Sequence, residues 1–201
     1  MDLNRKIIFL TDNFPPEVNA PANRTYEHCK KWVQLGAEVT IITCAPNFPT
    51  GKVYKGYKNK IIQHEKINGI KVIRVWSFIA KNKGIIKRTI DYLSFGISSF
   101  LAGLFIKSDI IIATSPQFFT AVSGRLLSYF KRKPWVMEIR DLWPDSIVSV
   151  TSLKKEHFIY KILKKIENKL YNSATRIVVV TDSFKSYLIK SHNINPKKIG
   201  V

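Results

Sequence analysis

The stretch between Lys6 and Thr43 reads KIIFLTDNFPPEVNAPANRTYEHCKKWVQLGAEVTIIT. Its two ends, KIIFLT and EVTIIT, are continuous runs rich in β-branched residues, a pattern typical of strands buried on both faces of a parallel sheet. The segment between them predicts a helix over residues 21–35. Pro21 suits a first helical turn, and Gly36 falls just past the last one. The stretch therefore predicts one strand–helix–strand unit.

The same alternation continues along the rest of the chain. Further strand-like runs cover residues 71–75, 109–114, 134–139 and 176–180, and residues 197–201 begin another. Helices are predicted over residues 85–106, 117–130, 155–171 and 183–191. This order predicts the α/β class, with a Rossmann-like, mostly parallel sheet and helices on both faces. No linker or internal repeat divides the sequence, so residues 1–201 are expected to form a single domain.

Residues 61–75, IIQHEKINGIKVIRV, interrupt the alternation. Two β-rich stretches are separated there by Asn68-Gly69. This dipeptide supplies the positive φ angles that a type I′ hairpin turn requires. The pattern predicts a hairpin whose second arm joins the main sheet.

The composition describes a folded but strongly basic protein. Of 201 residues, 45% are hydrophobic and 23% are charged, which argues against disorder. There are 33 Lys and Arg against 14 Asp and Glu, a net charge of +19, and this favours nucleic acid, an anionic membrane or phosphorylated substrates. The cysteines and histidines show no metal-ligand spacing, so no metal site is expected. The apolar run at residues 7–10 is too short for an export signal, which predicts an intracellular protein with reduced thiols.

The loops after the strands are the candidate binding region, since open parallel sheets bind ligands outside the carboxyl ends of their strands. These loops, residues 11–20, 113–117, 140–145 and 181–183, are expected to meet in one crevice. They contain neither a dinucleotide fingerprint nor a P-loop. Arg24, one turn into the first helix, can add a bidentate contact to a phosphate or carboxylate. Asp141 can act as a general base, hold a sugar hydroxyl or pair with Arg140.

Residues 92–106, YLSFGISSFLAGLFI, carry no formal charge. They fall short of the roughly 20 residues that span a bilayer. Two interpretations remain open: a core helix, or a partly exposed apolar helix that dips into an anionic membrane face. The basic residues that precede it are Lys81, Lys83, Lys87 and Arg88.

Three segments in order resemble the N-terminal domain of family 4 glycosyltransferases, which have the GT-B fold. They are residues 14–43, the TSPQ of residues 114–117 and the EIRDLWPDS of residues 138–146, the most specific of the three. Together they resemble one subgroup, the transferases of N-acetylfucosamine-type sugars in bacterial capsule and O-antigen assembly. The resemblance implies the acceptor-binding N-terminal half of a GT-B enzyme, with a C-terminal donor-binding domain beyond Val201.

The resemblance also implies roles for individual residues. The backbone amides of Glu17, Val18, Asn19 and Ala20 would face the donor phosphates, although many relatives have Gly-Gly where this chain has Asn19-Ala20. Arg140 and Asp141 lie where many relatives carry His-Asp near the reacting sugar, so they are the catalytic candidates, with Asp141 favoured. The other substrate-binding candidates are Arg24, Ser115, Pro116, Gln117, Glu138 and Trp143.

The activity implied by the resemblance is retaining transfer from a nucleotide-sugar, expected to be UDP-linked, with no metal and no cofactor. The implied acceptor is a saccharide on polyprenyl pyrophosphate, which places the protein in the cytoplasm, peripheral on the inner face of the cell membrane. This half alone is expected to be inactive. One alternative is a stand-alone, non-catalytic acceptor or membrane-docking subunit that works with a separate donor-binding chain. Specific nucleic-acid binding is not expected, because the sequence lacks zinc spacing, an RNA-binding aromatic signature and a basic recognition helix.

Overall fold

The computed structural model describes residues 4–79, 85–115, 117–150, 154 and 156–201. The strands within these ranges are β1 (Lys6–Leu10), β2 (Glu38–Cys44), β3 (Ile62–Ile67), β4 (Ile70–Val75), β5 (Ile110–Thr114), β6 (Trp135–Ile139), β7 (Arg176–Val179) and β8 (Ile199–Gly200). They form one sheet in the order β3-β4-β2-β1-β5-β6-β7-β8. Every neighbouring pair is parallel except β3 and β4. The predicted fold class is therefore confirmed.

Helices cover both faces of this sheet. They are α1 (Ala20–Gln34), α2 (Ile85–Leu104), α3 (Phe118–Lys131), α4 (Asp145–Val150), α5 (Phe158–Ser173) and α6 (Asp182–His192). On one face, Ile7 and Phe9 of β1 share a core with α1, where the Phe9 and Trp32 rings lie 6.0 Å apart. On the other face, Ile8 and Leu10 share a core with α2 and α3. Because alternate β1 side chains enter two different cores, its sequence is apolar without a break.

The predicted hairpin is confirmed. Asn68 and Gly69 have φ angles of 47° and 86°, in the left-handed region that a type I′ turn uses. They connect β3 to β4 in antiparallel register, and β4 then pairs with β2 in parallel. The second arm of the hairpin thus extends the main sheet.

Close packing against α3 determines which face of α2 is buried. A Cβ atom on Gly96 would lie 3.0 Å from Phe119 Cβ, and one on Gly103 would lie 2.5 Å from Leu127 Cδ1. The short separation lets Ser123 Oγ donate a 2.6 Å hydrogen bond to the Gly96 carbonyl. Larger side chains at the two glycines would push the helices apart.

The element boundaries differ from the predictions in three places. Helix α1 begins at Ala20, one residue early, because Asn19 caps it. Helix α4 was not predicted, since six residues are too few to display a helical repeat. The helix predicted over residues 155–171 begins at Phe158, after His157 Nδ1 has accepted a 3.2 Å hydrogen bond from the Ile159 N–H. Its predicted first residue, Lys155, lies outside the described residues.

Candidate functional site

A cleft of about 370 Å³ opens beside the carboxyl end of β1. It is formed by the loop after β1, the end of β2, the first turns of α2 and the start of α3, and its lining includes Asp12, Asn13, Cys44, Asp91, Tyr92 and Gln117. In the sheet, β1 lies between β2 on one side and β5 on the other. The cleft therefore lies where the strand order reverses. Open α/β sheets bind their ligands at this point.

The loops after β1 and β5 meet in this cleft as predicted. Gln117 Nε2 donates a hydrogen bond to Asp12 Oδ2, and Gln117 Oε1 accepts one from Thr120 Oγ1 at 3.3 Å. The Asp12 carbonyl also accepts hydrogen bonds from Thr43 Oγ1 and Cys44 Sγ at the end of β2. The side chain of Asp12 is therefore held in a fixed position.

Two predicted residues of the first loop have structural roles for their side chains. Glu17 is only 2% exposed, and its Oε1 accepts hydrogen bonds from the backbone N–H groups of Asn47 (2.7 Å) and Phe48 (2.8 Å). Burial raises the pKa of Glu17, and these two hydrogen bonds oppose the shift. Asn19 Oδ1 accepts from the Ala22 N–H at 2.8 Å and so caps α1. These contacts fix the course of the loop whose backbone amides were predicted to face phosphates.

The remaining two residues of that loop segment contribute little side-chain contact. Val18 is 85% exposed, and Ala20 is the exposed first residue of α1. Both residues are therefore open to a ligand, through the exposed Val18 side chain or through the backbone.

Arg24 and Glu138 form an ion pair between α1 and the end of β6. Arg24 Nε and Nη2 lie 3.1 Å and 3.0 Å from Glu138 Oε1. Glu138 is 5% exposed, and its second oxygen, Oε2, has no hydrogen-bond partner among the described residues. Arg140 is close enough to feel the charges of both residues, and burial lowers its pKa while Glu138 opposes the shift. Glu138 thus pairs directly with Arg24 and also lies within electrostatic range of Arg140.

Backbone and side-chain contacts join the ends of β5 and β6. The Ser115 N–H donates to the Glu138 carbonyl at 2.9 Å, and Ser115 Oγ accepts from the Arg140 N–H at 3.1 Å. The Trp143 ring packs against Phe118 at the start of α3, with centroids 4.7 Å apart. The predicted residue Pro116 lies outside the described residues. The loop after β6 is therefore adjacent to the end of β5 and to the start of α3.

Asp141 is half-buried at the start of the loop after β6. Among the described residues, no hydrogen bond or ion pair holds its carboxylate, and the ion pair with Arg140 that the sequence left open is not formed. An acidic side chain without an internal partner is available to a ligand. The geometry thus allows Asp141 either to act as a general base or to hold a sugar hydroxyl.

A polar cluster fixes the far end of the same loop. Asp145, the first residue of α4, accepts hydrogen bonds from Tyr160, from Tyr187 (2.6 Å) and from Lys164 (2.9 Å). Burial favours a higher pKa for Asp145, but these hydrogen bonds outweigh it and bring the pKa to about 2. Lys164 also lies 2.6 Å from buried Glu167. Helices α5 and α6 therefore hold the loop after β6 from behind.

Most residues that line the cleft were not among the site residues predicted from the sequence, and two of them are acids, Asp91 on α2 and Asp12 after β1. Burial raises the pKa of Asp91 to about 7, the charge of Asp12 adds to the shift, and nearby Arg88 opposes it. Burial raises the pKa of Asp12 as well. The position of Asp12 directly after a strand could have indicated that it lines the cleft. No local sequence pattern indicates that Asp91, on α2, lies in the same cleft.

The fourth predicted loop, residues 181–183, follows β7. Thr181 Oγ1 accepts a 3.2 Å hydrogen bond from the Phe184 N–H and caps α6. The contacts described above join only the other three loops. As for metals, no group of three or more His, Cys, Asp or Glu side chains in the described ranges is arranged to hold an ion.

The fold and this cleft agree with what sequence comparison finds: the chain belongs to glycosyltransferase family 4, whose family model matches residues 22–201. A probable glycosyltransferase from Pseudomonas aeruginosa, WbjE, is 25% identical over 93 residues, which cover 46% of this chain and 23% of that protein. The matched residues make up less than a quarter of this curated relative.

Two solved structures share the fold. Sucrose-phosphate synthase from Thermosynechococcus elongatus superimposes with a TM-score of 0.65 at 10% identity, covering 92% of this chain and 45% of that one. The glycotransferase of kitacinnamycin superimposes with a TM-score of 0.54 at 10% identity, covering all of this chain and 51% of that one. The likeness to GT-B glycosyltransferases that the sequence implied is thereby confirmed at the level of the fold. The chain spans about half the length of these structures.

Proposed function

We propose that this chain is the acceptor-binding part of a retaining, metal-independent glycosyltransferase. It would move a sugar from a nucleotide-sugar to a lipid-linked saccharide in bacterial surface-polysaccharide synthesis, with an N-acetylfucosamine-type sugar as the favoured class. The observation that carries the proposal is the position of α2. Its first turns line the cleft with Arg88, Asp91 and Tyr92, and its outer face is apolar and exposed.

The outer face of α2 supports a lipid-linked acceptor. Ile90, Leu93, Ile97 and Leu101 follow helical spacing and are 44%, 43%, 53% and 52% exposed, and we call them the apolar stripe. Large apolar side chains in a row on a helix beside basic residues favour an anionic membrane surface. Lys87 and Arg88 are exposed at one end of the stripe, whereas Lys81 and Lys83 lie outside the described residues. No helix in the described part of the chain has the length and apolar character needed to cross a membrane.

In this proposal the protein lies on the inner face of the cell membrane, with the stripe in contact with lipid. The cleft mouth would then lie close to the bilayer, within reach of a saccharide on polyprenyl pyrophosphate. A donor-binding domain would face the cleft from the other side and present the nucleotide-sugar, expected to be UDP-linked. The backbone amides of residues 17–20 would contact its phosphates.

The chemical roles follow from the loop after β6. Asp141 would contact the reacting sugar, since its carboxylate has no partner among the described residues. Arg140 and Arg24 would balance the negative charge that develops on the leaving phosphate, the usual task of positive groups in such transfers. Ser115, Gln117 and Trp143 would line the substrate path, with Glu138 holding Arg24 in place.

The test is a transfer assay with the complete purified enzyme, a set of UDP-sugars and a polyprenyl-pyrophosphate-linked saccharide. We expect Asp141→Asn to lower kcat by at least about 100-fold without a change in the melting temperature. Asp109→Asn, the same chemical change just before β5 at the amino ends of the strands, is the matched control and should leave kcat unchanged. Wild-type turnover by Asp141→Asn would remove the role given to Asp141.

The stereochemistry and the metal dependence are checked in the same assay. The anomeric configuration of the product, read by NMR, should match that of the donor, and a chelator should leave the rate unchanged. An inverted product or a chelator-sensitive rate would contradict the proposed mechanism. Absence of transfer from every donor in the set would contradict the proposed function itself.

A further inference from the structure

The cleft is acidic in a protein that is otherwise strongly basic. The chain has 33 basic and 14 acidic side chains, yet the cleft is lined by three acids, Asp12, Glu17 and Asp91, and by one basic residue, Arg88. A phosphate would be repelled from such an interior, whereas a neutral ligand with many hydroxyl groups would not. The charge of the cleft interior thus points away from phosphate, so the phosphate contact proposed above for residues 17–20, where Val18 is 85% exposed, would lie outside this interior.

The hydrogen-bond capacity of the three acids differs. Glu17 Oε1 is occupied by two backbone N–H groups, and Asp12 Oδ2 is occupied by Gln117. The Asp91 carboxylate, which is half-buried, has no hydrogen-bond partner among the described residues. Asp91 is therefore the acid in the cleft that is most open to a ligand.

The rest of the lining suits a short saccharide. Asn13 and Asn47 provide amide groups, and Phe48 and Phe95 provide apolar faces. Carboxylates and amides bind hydroxyl groups, and aromatic faces cover the apolar side of a sugar ring. The cleft volume of about 370 Å³ lies within the usual range for small-molecule sites, roughly 300–1,000 Å³.

We propose that this cleft binds the sugar moiety of the acceptor, that Asp91 accepts hydrogen bonds from its hydroxyl groups, and that phosphate is kept outside. The identification of the ligand as an acceptor rests on the proposed function, whereas the binding of a neutral sugar does not. Arg88 is exposed beside the cleft, and the apolar stripe continues from it along α2. The sugar, the phosphate and the lipid of one acceptor would then meet three successive surfaces.

The test is direct binding of neutral sugars to the purified protein by saturation-transfer NMR. The probes are methyl glucoside, methyl galactoside and methyl N-acetylglucosaminide, with inorganic pyrophosphate as a competitor. We expect at least one glycoside to bind, Asp91→Asn to weaken it about tenfold or more, and pyrophosphate not to displace it. The matched control, Asp109→Asn, should bind like the wild type.

The pH dependence provides a second readout on the same variants. The charged and titratable groups that line the cleft with Asp91 are Asp12, Glu17, Cys44, Arg88 and Tyr92. Hydroxyl donors favour the ionised carboxylate, so glycoside affinity should rise with pH through about 7, where Asp91 titrates. This rise should be absent in Asp91→Asn, whose melting curve confirms that the variant is folded.

Three results would overturn the proposal: wild-type affinity in Asp91→Asn, displacement of the glycoside by pyrophosphate, or no binding of any of the three glycosides. The assay needs no nucleotide-sugar and no transfer. Glycoside binding at Asp91 in a protein that transfers nothing would therefore count against the proposed function alone.

Discussion

The carboxyl group of Asp91 lies in the cleft, where burial disfavours its charged form. Burial raises its pKa from 3.8 to about 7, with a further contribution from Asp12 and an opposing one from Arg88. Between these two pH values the folded protein binds more protons than the unfolded chain, so this residue makes stability fall as the pH rises. A side chain kept at a cost in stability is common at functional sites.

We expect Asp91→Asn to stabilise the protein above pH 7, because the amide removes the buried negative charge. The gain should be about 1 kcal/mol at pH 8, allowing for partial exposure, or about 2–4 °C in the melting temperature. At pH 4 it should be close to zero, since Asp91 is already protonated in the folded state. Thermal melts at the two pH values measure this difference. An equal gain at both would mean that the ionisation of Asp91 is not its cause.

Glu17 is a second buried acid, and its Oε1 accepts two hydrogen bonds from within the protein. Glu17→Ala should cost about 2–3 kcal/mol of unfolding free energy, because two partly buried backbone N–H groups, on Asn47 and Phe48, lose their acceptor. Glu17→Gln keeps an acceptor oxygen and should cost less. Urea unfolding checks both variants against Glu156→Ala, which removes an exposed acid. Equal costs for Ala and Gln would contradict the hydrogen-bond explanation.

At the scale of elements, α2 has three surfaces with different tasks. One face packs on α3 through Gly96 and Gly103, and the first turns contribute Arg88, Asp91 and Tyr92 to the cleft. The third surface is the apolar stripe. Because these surfaces belong to one rigid helix, contact of the stripe with a membrane would fix the direction in which the cleft faces.

The apolar stripe predicts binding to lipid vesicles. Ile97→Gln combined with Leu101→Gln should weaken partitioning onto phosphatidylglycerol-containing vesicles by about 2 kcal/mol, or roughly 30-fold. Both side chains are about half exposed, so the fold should be unaffected. The matched control changes Ile61 and Ile62, which are 85% and 47% exposed beside and on β3. Vesicle sedimentation measures the difference, and an equal loss in the control would show that the stripe has no special role.

At the scale of the whole molecule, sheet order and net charge act together. The reversal of strand order at β1 creates the cleft, and the net charge of +19 attracts anionic surfaces. Exposed charges are screened over roughly 10 Å at 0.1 M salt and roughly 3 Å at 1 M. Long-range attraction and short-range apolar contact can therefore be separated by salt.

Vesicle binding by the wild-type protein should fall by at least about tenfold between 0.05 M and 0.5 M salt, because each basic residue near the surface contributes roughly 1 kcal/mol at low salt. The residual binding at high salt should depend on the apolar stripe and disappear in the Ile97–Leu101 double variant. The comparison needs only sedimentation of both proteins at two salt concentrations. Binding that is insensitive to salt would contradict an electrostatic contribution.

The sequence alone was sufficient for most of the fold. Apolar β-branched runs, helical spacing and the Asn68-Gly69 turn act over a few neighbouring residues, so they predicted the positions of all eight strands and of five of the six helices in the described residues. The segments at residues 14–43 and 138–146 also carried the family resemblance, which the family model now confirms. The short helix α4 escaped prediction because its six residues complete fewer than two turns.

The candidate site needed the tertiary structure. That Asp91 lines the same cleft as Asp12, that Glu17 is consumed by Asn47 and Phe48, and that Arg24 pairs with Glu138 all depend on strand order and on the rotation of each helix. The burial of one face of α2 against α3, and hence the exposure of the apolar stripe, depends on the same packing. Sequence patterns fix conformation locally, because their forces act between neighbours, whereas these contacts join residues that only the assembled sheet brings together.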